Sequence, residues 1–106
     1  MDVNITLENV STRTIEEWRA WLLRTKYVLS LSGTEFVKEY YDADGLYEML
    51  DNPFETDTLY FVEKMISFLR RLKQLSNVDV GLKKPIPEPP KSLIEYIKSI
   101  VPEFEY

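Results

Sequence analysis

The sequence predicts a mainly α fold: a small helical domain around one long central helix, about residues 53 to 76, with a minor two-stranded β ribbon from about residues 3 to 7 and 78 to 82. Three observations lead there. Apolar residues recur at helical spacing without a break from Phe54 to Leu75, two Ser/Thr-x-x-Glu boxes announce further helices, and strict two-residue alternation is confined to two short stretches. The 106 residues suffice for one domain with one core, which is expected to include a proline-rich strap over 83–91 and a C-terminal helix over 92–101.

In chain order, Val3, Ile5 and Leu7 alternate with Asn4, Thr6 and Glu8, the pattern of a half-buried strand. Its expected partner is the alternation of Val78, Val80 and Leu82, or the edge of another chain. Thr14-Ile15-Glu16-Glu17 is a capping box, and the helix it opens should run to about Leu31. Ile15, Trp18, Trp21, Leu22, Val28 and Leu29 form its inner face, with Arg19, Arg24 and Lys26 toward solvent. Two tryptophans one turn apart are read as core residues packing on the central helix. Thr34 can cap a short helix to Tyr41, with Phe36, Val37 and Tyr40 inward. Asp42-Ala43-Asp44-Gly45 should then break the chain before a second short helix, Leu46 to Leu50.

The central helix should start at Asn52-Pro53-Phe54-Glu55, with an amide cap, proline at the first helical position and a carboxylate at the third. Phe54, Phe61, Met65, Phe68, Leu72 and Leu75 form one apolar stripe, and Leu59, Val62, Ile66 and Leu69 a second beside it. Tyr60, Glu63, Lys64, Ser67, Arg70, Arg71 and Gln74 make the outer wall. Four prolines between Pro85 and Pro90 force extended backbone, and Ser92-Leu93-Ile94-Glu95 opens a last helix with Leu93, Ile97, Ile100 and Tyr96 inward. The structural expectation is that this helix folds back onto the core. The segment Ile86-Pro87-Glu88-Pro89-Pro90 resembles the proline-rich tail motif by which ESCRT-III proteins engage microtubule-interacting-and-trafficking domains, with Pro89 in place of an aliphatic residue; no function is carried over from it.

Composition narrows the chemistry. With no Cys there is no disulfide framework, thiolate metal site or cysteine nucleophile, and with no His the usual general base and the commonest transition-metal ligand are missing. No enzymatic activity, cofactor or metal is expected. The net charge of -5 disfavours nonspecific attraction to nucleic acid or an anionic membrane. The first residues lack the basic and apolar regions of a signal peptide, so a cytoplasmic protein is expected. A single Gln and many Glu, Lys, Ile and Tyr resemble the small proteins of hyperthermophilic archaea and their viruses.

Two clusters are candidate partner-binding residues. Asp42, Asp44 and Glu48 form an acidic loop in which a D-x-D-G opening lacks the glycine and glutamate of a calcium loop, since Tyr47 and Pro53 hold those places. Arg70, Arg71, Lys73, Lys83 and Lys84 form a basic end that can hold phosphate oxygens or the acidic face of a partner, or complement the helix dipole. The expected function is a non-enzymatic, acidic protein-protein interaction module, an accessory or inhibitory subunit of a larger nucleic-acid-processing assembly, with self-association as a homodimer also open. The alternative is a helix-turn-helix-like nucleic-acid-binding regulator, against which the two short helices offer only one cation, Lys38.

Overall fold

Ser11, three residues before the expected cap, opens the first helix: its Oγ accepts the Thr14 amide at 3.1 Å and donates to Thr14 Oγ1 at 2.8 Å. The structure, a computed structural model, describes residues 6 to 77 and 81 to 106. Helix α1 spans Thr12–Ser30 and buries all six of the apolar residues expected on its inner face. Arg19 and Lys26 depart from the expectation. Their side chains retain only 21% and 16% exposure because each reaches a carboxylate on the next helix: Arg19 to Asp51 at 3.2 Å, Lys26 to Asp44 at 2.7 Å.

After a turn in which Gly33 takes φ 68°, α2 runs unbroken over Val37–Asp51. The expected break at Asp42-Ala43-Asp44-Gly45 does not occur, and the two short helices are one. Ala43 and Leu46 are buried in the core, and both aspartates bind lysines instead of folding back on their own backbone, Asp42 with Lys38 one turn earlier and Asp44 with Lys26. A helix-turn-helix has no turn here. Phe36 is buried as expected, whereas Val37 is 47% exposed.

The central helix, α3, spans Thr58–Asn77 and starts five residues later than the Asn52-Pro53 signal. Asp57 is the residue at its head, with Oδ2 accepting the Tyr60 amide at 2.8 Å. Asn52 to Thr56 form a tight connection whose backbone is used elsewhere. The Thr56 hydroxyl donates to the Met49 and Asn52 carbonyls at the end of α2, and the Leu7 amide donates to the carbonyls of Pro53 and Thr56. Phe54 and Leu59 consequently face outward at 71% and 63% exposure, while Phe61, Val62, Met65, Phe68, Leu69, Leu72 and Leu75 are buried and Ile66 is partly so.

The β ribbon is not supported. Among the described residues there is no strand: Thr6 makes one isolated antiparallel bridge to Asp57, and Leu7–Asn9 is a single 3-10 turn with Leu7 fully buried. Residues 3 to 5 and 78 to 80 of the expected ribbon lie outside the described residues. Gly81, at φ 87°, accepts from the Ser32 hydroxyl through its carbonyl and makes no described bridge to residue 6 or 7.

Arg19 with Asp51 and Lys26 with Asp44 set α1 antiparallel to α2, the short connection from Asp51 to Thr58 with Glu39 on Arg71 at the far end sets α2 antiparallel to α3, and Trp18 on Phe61 with Trp21 on Phe68 set α1 parallel to α3. The result is an up-down-up arrangement of three helices. The strap then returns along α1. Trp21 Nε1 donates to the Pro87 carbonyl at 3.0 Å, Trp18 Nε1 donates to Ser92 Oγ at 3.0 Å, and that hydroxyl donates to Glu17 at 2.7 Å. Ser92 thus serves α1 and is not the expected cap; α4 spans Lys91–Ile100 with Pro90 in the cap position and no side-chain cap bond. Leu93 and Ile97 are fully buried, with Tyr96 and Ile100 packed partly against the same core, so the last helix folds back as expected. A smaller cluster of Leu29, Phe36 and Leu75 closes the far end under Leu82 and Ile86. No helix among the described residues is long and apolar enough to cross a membrane.

Candidate functional site: a groove between the second and third helices

Helix α2 sits closer against α1 than against α3, and the looser side opens into a groove of about 660 Å³. One stripe of each helix lines it. From α2 come Lys38, Glu39, Tyr41, Asp42, Gly45, Leu46 and Met49, and from α3 Tyr60, Lys64, Ser67, Phe68 and Arg71, all at steps of three or four residues or next to such a step. Its volume is within the ordinary range for binding clefts, roughly 300–1,000 Å³.

Gly45 leaves one position of the groove without a side chain. It stands inside a helix with nothing within 4 Å of the place a Cβ would occupy, so the wall is indented there. Leu46 and Phe68 supply buried apolar surface and Met49 a partly buried edge, while Tyr41 and Tyr60 stand at the rim, 65% and 50% exposed. The Glu39 side chain is only 6% exposed and accepts from Arg71 Nε at 2.7 Å; Arg71 Nη1 also donates to Gln74 at 3.2 Å. Lys38 pairs with Asp42 at 2.9 Å, and that bond, with the nearby charge, raises the lysine pKa above its ordinary value. Lys64 is different. No described carboxylate pairs with it, and its Nζ lies 5.5 Å from the centroid of the Tyr60 ring.

Of the residues singled out from sequence, the groove brings Asp42 and Arg71 together. The others go elsewhere. Asp44 faces α1 and Glu48 is an exposed residue of α2; Lys73 lies over the Tyr106 ring at 5.2 Å; Arg70, Lys83 and Lys84 are exposed. On one helix Arg70 and Lys73, three residues apart, share a face that Arg71 does not, and here Arg71 serves α2 while Lys73 serves the C-terminal tail. Sequence reasoning passed over Glu39, Tyr41, Gly45, Tyr60, Lys64 and Ser67 as site residues. Tyr60, Lys64, Ser67 and Arg71 were legible as one outer stripe, but its significance depends on α2 being continuous and placing Gly45 opposite.

Among the described residues no cluster of three acidic side chains suits a metal ion. Comparison with protein-family models, curated proteins and solved structures finds no match in any of the three.

Proposed function

We propose that this chain is a cytoplasmic, non-enzymatic protein-interaction module, and that the α2–α3 groove is where it holds a segment of its partner. The observation that carries the reading is the indentation at Gly45, flanked by the exposed rings of Tyr41 and Tyr60: apolar floor, aromatic rim and, in Lys64, a cation with no described carboxylate partner, in a single cleft. Such a cleft offers a partner both buried area and an orienting charge. The absence of His and Cys from the chain, and the engagement of both groove carboxylates in ion pairs, favour binding over proton transfer. An accessory subunit of a larger assembly fits this description.

Photo-crosslinking tests it. A photoreactive phenylalanine analogue at position 41 should trap a partner that, once purified, rebinds the chain with fixed stoichiometry. The same analogue at Arg24, exposed on α1, should trap it poorly. Equal trapping at both positions, or turnover of a small molecule by the purified chain, overturns the reading.

A further inference from the structure

We infer that the groove selects an acidic peptide, with one large apolar side chain seated over Gly45 and carboxylates held by Lys64 and the free edge of Arg71. This deepens the proposal above and rests on it. Three cations and two carboxylates line the groove, so its local balance is +1 on a chain of -5. Both carboxylates are already bonded, Asp42 to Lys38 and Glu39 to Arg71. Of the five charged groups that line the groove, Lys64 alone lacks a described partner of opposite charge. Lys64 has no described carboxylate partner, and Arg71 makes its described bonds through Nε and Nη1, leaving Nη2 without one. A ligand carboxylate would therefore complete groups that the fold leaves open, whereas a cationic ligand would compete with Lys38 and Arg71 for carboxylates in use.

The positions suit a peptide. Lys64 and Arg71 are seven residues apart on α3, about 10 Å along the axis at 1.5 Å per residue. That is two acidic side chains on one short segment, with an anchor between them or beside them. The anchor's place is Gly45, the only groove position with no side chain, with Leu46, Met49 and Phe68 also lining the cleft. A nucleic-acid strand fits less well, since its evenly spaced phosphates cannot skip Asp42 and Glu39 while meeting the cations.

Two-dimensional amide NMR on the intact chain tests this with defined probes: a short peptide of glutamates around one tryptophan, the same peptide with glutamines, the same with lysines, and a short thymidine strand. The glutamate peptide should shift the Gly45, Tyr60 and Lys64 amides. Lys64→Glu, at an exposed position where a dispersed spectrum will confirm folding, should weaken it about tenfold and gain binding of the lysine peptide. Glutamine and glutamate peptides binding equally would overturn the acidic selection, as would the lysine peptide or the thymidine strand binding more tightly to the unaltered chain. Silence of the groove amides toward every probe, with crosslinking at position 41 intact, would refute the acidic peptide and leave the groove as the interface. Loss of both would refute the groove itself.

Discussion

Gly45 is in the interior of α2, where glycine costs a helix roughly 1 kcal/mol relative to alanine, and nothing in the fold requires its freedom: its φ is helical and its surroundings are empty. Gly45→Ala should accordingly raise stability by about 0.5–1 kcal/mol in urea unfolding, while beginning to fill the cleft. That the chain forgoes so simple a gain in the wall of the α2–α3 groove is consistent with a wall used for binding. Lys26 illustrates the opposite economy. Its ammonium bonds Asp44 and lies 5.2 Å and 5.7 Å from the ring centroids of Tyr40 and Tyr47, and the Asp44 hydrogen bond is the main reason that its pKa is raised. A raised lysine pKa stabilises the fold fully below the ordinary value of about 10.4, and the contribution is lost as pH climbs through the folded value. Burial raises the Tyr96 and Tyr106 phenols in the same sense, because above about pH 10 the unfolded chain ionises first. The melting temperature should therefore fall between about pH 9 and about pH 11, and fall less in Lys26→Met.

At the scale of elements, the last helix was the most legible. Pro85 to Pro90 mark the strap unmistakably, and the spacing of Leu93 and Ile97 already defines a face to bury. Ile97→Asp should cost on the order of 2 kcal/mol or more, since Ile97 is fully buried and a lone carboxylate there has lost its water; an unchanged thermal melt would show the helix undocked. α2 was the least legible. Asp-Ala-Asp-Gly is ordinarily a turn, and what overrides it is tertiary: Lys26 arrives from α1 to hold Asp44, and burial of Ala43 and Leu46 secures the helix on either side of that residue. The head of α3 failed for a related reason. Asn52-Pro53 and Asp57 are both good caps, and the docking of Leu7 onto the Pro53 and Thr56 carbonyls, with the Thr56 hydroxyl bonded back to Met49 and Asn52, favours the second. The groove inherits both errors, because it exists only between a continuous α2 and a correctly framed α3.

For the molecule as a whole, extents of 47 × 27 × 20 Å and a charge of -5 describe an elongated acidic body whose favourable cations are local. Long-range attraction to a polyanion should be negligible. Fluorescence anisotropy with duplex DNA at physiological salt should show no binding, and a steep salt-dependent affinity that vanishes on replacing Arg70 and Arg71 by alanine would contradict this. The paired tryptophans have a consequence in time as well as in space. Their indoles close bonds to residues 66 and 74 positions further on, at Pro87 and Ser92. During translation α1 leaves the ribosome long before either partner exists, so its two largest side chains await a stretch made much later, and tertiary closure around them is deferred until that stretch emerges.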